Sequence, residues 1–295
     1  MVSLGLPAVA LSLTLTALVA CAGAPTPAGG RGERLLIVAG GAGRLQVSDG
    51  GTGEPAVVLV HGLGSELEAW RAQLDHLRPG RRAVAYDQRG HGRSEPARDG
   101  VYTIEALAAD LDSVIRALGL RRVILVGHSL SGAVITAWAG AHPDAVAGLV
   151  YADAVGDFGA IPRESLEAQA RQDEAMSADP GARRQVFAEM LGAAARPATR
   201  ERVLASVSRL DGPAFGRLRR SLFEFRVGDR LAGYGGPVLA IEAEGADFPI
   251  MASKVVPRAT RTTLAGVSHW LMLDDPSAFD QALDAFLAAV AAGGR

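Results

Sequence analysis

Apolar positions fall into two rhythms along this chain. Short unbroken runs at Leu35–Val38, Ala56–Val60, Val123–Val126, Gly148–Tyr151 and Val238–Ile241 read as strands. Most lack the polar alternation of a half-solvated sheet, as expected of strands covered on both faces. Arg44–Ser48, Arg82–Tyr86 and Thr260–Leu264 add three more. Between them the spacing changes to threes and fours. Leu67, Trp70, Leu74 and Leu77 share one face of a helix over Glu66–Leu77. Ile104–Leu118 follows the N-cap candidate Thr103 and stops at Gly119, Leu130–Ala141 closes at His142-Pro143, and Asp275-Pro276 opens a last helix reaching about Val290. Strand and helix alternate, which predicts an α/β chain with a doubly wound, mainly parallel sheet and reactive groups at the carboxyl ends of its strands.

The alternation lapses over 155–231, where helical periods continue without a convincing strand and Arg and Glu are frequent. This segment is expected to be a helical lid, inserted between core segments 31–154 and 232–295, because an insertion at a strand's carboxyl end lies over whatever that end presents. Phe187, Phe215, Phe223 and Phe225 suit either an apolar pocket or packing among the lid helices. Gly40-Gly41-Ala42-Gly43 could cradle a phosphate, but no third glycine and no helix follow at the required spacing, so a hairpin turn is predicted.

Residues 1–30 carry no charged side chain, and the apolar run from Leu11 ends in Leu18-Val19-Ala20-Cys21. That ending resembles the cleavage box of a bacterial lipoprotein and makes Cys21 the expected lipidation site, with a tether to Gly30. Export and membrane attachment, periplasmic or at the cell surface, are the expectation, with a plain secretory signal, an uncleaved anchor or a misplaced start codon (a cytoplasmic protein) as the alternatives. Cys21 is the only cysteine, which excludes an intramolecular disulfide. The 295 residues hold 30 basic and 32 acidic side chains, a balance that gives no reason to expect a nucleic acid partner.

The sharpest chemical signal is Gly127-His128-Ser129-Leu130-Ser131, placed between a strand and a helix. A serine on so tight a turn stands clear of the backbone, as a nucleophile must, and the crowded positions two before and two after it have to be small. Ser131 stands where glycine is commoner, with Gly132 behind it. A helix N-cap serine is the bland alternative. After the strand ending at Val60, His61-Gly62-Leu63-Gly64 can turn tightly and leave the Leu63 amide free. The Leu63 and Leu130 amides are the candidate oxyanion donors. His61 is expected to brace its loop. Asp87, Arg89 and His91 are expected to bond one another and nearby amides, holding a Gly-rich turn.

Taken together, His61-Gly62, Asp87–Ser94, Gly127–Ser131, Asp153 and Ser268-His269-Trp270 resemble the α/β-hydrolase superfamily over roughly Arg34–Ala289. The resemblance implies Ser129 as nucleophile and His269 as general base and acid. Two carboxylates compete for the third place: Asp247, beyond the strand Val238–Ile241, and Asp153, beyond the strand after the elbow, with Glu244 behind both. Branches that open epoxides or carbon–halogen bonds use a carboxylate nucleophile, so Ser129 implies acyl transfer. The expected substrate is a small, apolar carboxylic ester or lactone, with no metal and no cofactor. Carbon–carbon hydrolysis or peracid formation by the same residues, and a non-catalytic binding protein, are the alternatives.

Overall fold

The computed structural model describes residues 32–293, and the leader, Cys21 and its tether lie outside them. Eight strands form one sheet: β1 (Arg34–Ala39), β2 (Arg44–Gly50), β3 (Ala56–Val60), β4 (Ala83–Tyr86), β5 (Val123–His128), β6 (Val146–Ala152), β7 (Val238–Ala243) and β8 (Thr260–Leu264). Their spatial order is β1-β2-β4-β3-β5-β6-β7-β8. The β1–β2 and β2–β4 pairs are antiparallel, and every later pair is parallel. Each residue of β3, β5, β6 and β7 is buried, as their unbroken apolar runs require. The Gly40–Gly43 turn is a hairpin, closed by the Gly40 amide on the Gly43 carbonyl at 2.8 Å.

The flanking helices are α1 (Arg71–Leu77), α2 (Ile104–Ala117) and α3 (Ser131–Ala141). Four more helices lie between β6 and β7: α4 (Arg163–Met176), α5 (Pro180–Leu191), α6 (Pro197–Val207) and α7 (Gly212–Glu224). Two single turns, α8 (Ala252–Val255) and α9 (Leu271–Asp274), precede the long α10 (Pro276–Gly293). The caps predicted at Thr103 and Asp275 are made, accepting from the Ala106 amide at 3.1 Å and the Ala278 amide at 3.0 Å.

Glu66–Leu77 departs from a single helix, because a 3₁₀ turn over Leu67–Trp70 precedes α1. The reason is a long-range cap. Asp87 Oδ1 accepts the Leu67 amide at 2.7 Å, so the first turn is anchored on a carboxylate from the β4 end, not on its own Glu66. The Asp87 turn also differs from expectation. Of Asp87, Arg89 and His91, only His91 bonds another of the three, its Nδ1 donating to the Arg89 carbonyl at 2.9 Å. Asp87 Oδ2 takes the Arg93 amide at 2.8 Å, while Arg89 reaches Asp110 of α2 at 2.6 and 2.8 Å and the carbonyls of Val101 and Ala106. Burial pushes the Asp87 carboxyl up to about 6 despite its two amide donors.

Arg89 and Asp110 are both almost fully buried, so removing one strands the other. Asp110→Ala is expected to lower the unfolding free energy by about 3–5 kcal/mol. A urea melt would show this as a lower midpoint at unchanged slope.

Candidate active site

Strand β5 delivers Ser129 at the carboxyl edge of the sheet with left-handed backbone, φ 55°. Two hydrogen bonds hold that conformation: the Ser129 amide donates to the Ala152 carbonyl at 3.1 Å, and its carbonyl accepts from Gly132 at 3.0 Å. The small-residue rule has a direct cause here. A Cβ at position 127 would stand 2.5 Å from the Ser131 carbonyl oxygen, and one at 132 would stand 2.7 Å from Ala154 Cβ. Ser131 is tolerated because its side chain points into the protein, where Oγ donates to the His61 carbonyl at 2.5 Å.

That contact belongs to a buried network. Gln88 Nε2 donates to the same His61 carbonyl at 2.6 Å, and the Gln88 amide donates to His61 Nε2 at 3.1 Å. His61 Nδ1 therefore carries the proton and donates to the Gly62 carbonyl at 2.8 Å. Burial holds His61 far below the usual imidazole range, so it is a neutral brace and not a base. The loop it braces runs under Ser129: a Cβ on Gly62 would lie 2.9 Å from Ser129 Cβ. Among the described residues, neither the Leu63 nor the Leu130 amide donates a hydrogen bond, and both residues line one cavity with Ser129 and His269.

His269 lies between β8 and α9, and its Nδ1 donates to Asp153 Oδ2 at 2.7 Å. The second Asp153 oxygen accepts the Ala243 amide at 2.9 Å, and the Asp153 backbone, at φ 42°, donates to the Ile241 carbonyl at 2.7 Å. Burial would raise the Asp153 carboxyl, but the bond and charge of His269 and the Ala243 amide outweigh it and hold the group below the ordinary carboxylate range. Asp247 is elsewhere. It is two-thirds exposed and pairs with Lys254 at 2.6 Å, because the loop after β7 carries it outward. Glu244 is exposed as well, its amide bonded to the Leu264 carbonyl.

Sequence reasoning left two groups unassigned. His128 Nε2 donates to the His269 carbonyl at 2.9 Å, the two rings lie 4.7 Å apart, and burial drives His128 down to about 3. A neutral imidazole thus fixes the backbone of His269. Asp274 works from the other side: its Oδ2 accepts the Ser268 amide at 2.8 Å and hydroxyl at 2.5 Å, and its Oδ1 accepts the Arg196 amide at 2.9 Å. The only sequence signal for His128 was its place inside the elbow. Asp274 gave none, being one of two adjacent acids before Pro276.

The cavity over Ser129 holds about 40 Å³ and is roofed by Val186, Phe187 and Met190 of α5 and Phe215, Arg219 and Leu222 of α7. Phe187 and Phe215 thus face the site. Phe223 instead meets Phe158 at 5.0 Å, and Phe225 lies under Arg230 at 5.3 Å. A larger groove of about 610 Å³ lies between the Gly159–Arg163 loop, α4 and the end of α7, but neither Ser129 nor His269 lines it. Ser129 and His269 both line the small cavity instead.

A family model described as the alpha/beta hydrolase fold matches residues 55–219. Epoxide hydrolase 3 of Xenopus tropicalis is 39% identical over 109 residues, 37% of this chain and 30% of that protein. The putative carbamate hydrolase RutD of Variovorax paradoxus is 43% identical over 100 residues, 34% of this chain and 38% of that one. The matches thus span about a third of the length of these curated relatives. A thermophilic esterase from Thermogutta terrifontis superposes with a TM-score of 0.75 at 23% identity, covering 87% of this chain and 99% of that one, which is a likeness of fold.

Because folded-state Asp153 sits below its unfolded value of about 3.9, the native protein binds fewer protons than the unfolded chain in that window. Its contribution is present above pH 4 and lost as pH falls through the depressed value. Asp153→Asn is expected to flatten the acid limb of stability below pH 4, and exposed Asp247→Asn to leave it nearly unchanged. Urea midpoints between pH 5 and pH 2.5 would read both.

Proposed function

Because the chain belongs to the α/β-hydrolase family, we propose that it is a serine hydrolase cleaving a small carboxylic ester or lactone through an acyl-enzyme. The observation that carries this reading is the 2.7 Å bond from His269 Nδ1 to Asp153, in a cavity shared with the left-handed Ser129. With its Nδ1 proton committed to Asp153, His269 presents an unprotonated Nε2. That nitrogen takes the Ser129 hydroxyl proton as Oγ attacks the scissile carbonyl carbon. The carbonyl electron pair moves onto oxygen, where the Leu63 and Leu130 amides receive it. Collapse of the tetrahedral adduct expels the alkoxide, which takes the proton from His269 and leaves the acyl group on Ser129. Water, activated by His269 in the same way, then frees the acid. Ionised Asp153 offsets the imidazolium charge that forms in each half-reaction.

Ester or lactone chemistry follows from the nucleophile. Epoxide opening needs attack at an sp3 carbon, and an alkoxide displaced by serine would leave an ether that water cannot readily hydrolyse, whereas a carboxylate nucleophile leaves a labile ester. A cavity of about 40 Å³ accommodates a short acyl group only after the roof gives way, ligand pockets ordinarily measuring about 300–1,000 Å³. The leader supports export with lipid attachment at Cys21, so labelling of cells with an alkynyl palmitate is expected to mark the wild-type chain and to fail on Cys21→Ala.

Fluorophosphonate labelling followed by intact mass tests the nucleophile. One adduct is expected on the wild type and none on Ser129→Ala. In hydrolysis of a short phenyl ester, Asp153→Asn is expected to lose on the order of 10⁴-fold in kcat and Asp247→Asn less than about threefold. An unlabelled but folded wild type, or ester hydrolysis surviving in Ser129→Ala, sinks the reading.

A further inference from the structure

Among the groups lining the small cavity, Arg219 is the one permanently charged side chain. Its Nε donates to Asp173 Oδ2 at 2.6 Å, and Asp173 is fully buried, with its other oxygen on Gln169 at 3.0 Å. The guanidinium lies over two rings, 5.7 Å from the Phe215 centroid and 5.5 Å from Phe223. These contacts occupy one edge and one face. Among the described residues, neither terminal nitrogen, Nη1 or Nη2, makes a hydrogen bond to the protein. The helix beneath is fixed to the core, since Ser221 Oγ of α7 accepts the Ile104 amide at 3.0 Å and Asp211 at its start accepts the Tyr102 hydroxyl at 2.5 Å. The side chain keeps about a quarter of its surface exposed, and donors without a protein partner, on a fixed arm that lines the same cavity as Ser129, are a recognition element.

We propose that Nη1 and Nη2 of Arg219 receive a neutral carbonyl oxygen on the acyl group of the substrate, so that the preferred esters carry a second carbonyl a few carbons from the scissile one. The proposal rests on the serine-hydrolase reading and adds its substrate class. Charge selects the carbonyl over a carboxylate. The Arg219 cation is already balanced by Asp173, so a carboxylate would bring uncompensated charge into a mostly apolar cavity. A carbonyl satisfies the open donors and leaves the charge balanced. Arginine suits the task because its planar fork can engage Asp173 along one edge while offering the other.

The test compares phenyl pentanoate, phenyl 4-oxopentanoate and phenyl hydrogen succinate on the wild-type full chain and on Arg219→Lys, which keeps a cation beside Asp173 but loses the fork. The readout is the ratio of kcat/KM between esters within one preparation, which partial unfolding cannot alter. The wild type is expected to favour the 4-oxo ester over the pentanoate by about tenfold, equivalent to about 1.4 kcal/mol of transition-state binding. The ratio is expected to approach one in Arg219→Lys and in the paired variant Arg219→Gln/Asp173→Asn, which leaves no unpaired buried carboxylate. Equal rates on both esters in the wild type, a preference surviving in both variants, or the hemisuccinate as best substrate would overturn the proposal. Cleavage of none of the three, with no fluorophosphonate adduct on Ser129, would instead overturn the hydrolase reading beneath it.

Discussion

Two residues with side chains occupy left-handed backbone among the described residues, Ser129 at φ 55° and Asp153 at φ 42°, and both stand where a buried parallel strand ends. Such conformations cost about 1–3 kcal/mol each and persist only where surrounding structure dictates them. The sheet does so directly. The Ser129 amide is held by the last residue of β6, Ala152, and the Asp153 amide by Ile241 of β7, so each strained residue is pinned by the neighbouring strand. Because β5, β6 and β7 lie side by side, bonds between the ends of neighbouring strands orient both Ser129 and the Asp153 that meets His269.

The imidazole that meets Asp153 has no such ladder. His269 sits beyond edge strand β8, whose first four residues are partly or fully exposed, and its loop is held by three buried side chains instead. Asp153 fixes the ring, His128 the carbonyl, and Asp274 the preceding Ser268. Neutral imidazoles recur here for a physical reason. His61 and His128 each supply a donor inside an apolar layer without bringing charge, because burial keeps both deprotonated near neutral pH.

What the sequence made legible follows from how local each cause is. The central strands β3, β5, β6 and β7 were readable because a strand buried on both faces must be largely apolar, and the tight turn at Ser129 because crowding at Gly127 is set by Ser131, four positions on. Which carboxylate meets His269 was not readable. Asp153 and Asp247 both follow strands, and the choice depends on backbone turning at a single residue, with Asp153 turned inward to the Ala243 amide and Asp247 carried out to Lys254. The 3₁₀ start before α1 was hidden likewise, since its cap comes from Asp87, 20 residues away. Ser131 looked like a departure from pattern, and its hydroxyl bond to His61 became visible only with β3 and β5 side by side.

The same bonds show which part of the roof is able to yield. Helix α6 is tied at its start to Asp274 through the Arg196 amide, and Arg209, just beyond its end, pairs with Glu66. Helix α7 is tied to Tyr102 and Ile104. Helix α5 has no such polar anchor. Among the described residues its side chains bond only within the insertion, as Arg184 does to the Leu204 carbonyl at 3.0 Å, and it meets the core through apolar contacts such as Phe187 over Gly64 and near Trp270. Apolar contacts are non-directional and can be replaced by an acyl chain entering between the same surfaces, whereas a buried carboxylate stripped of its donors has no substitute. Opening the cavity by moving α5 therefore leaves every buried ion pair in place and keeps Arg219, on α7, in a constant position relative to Ser129.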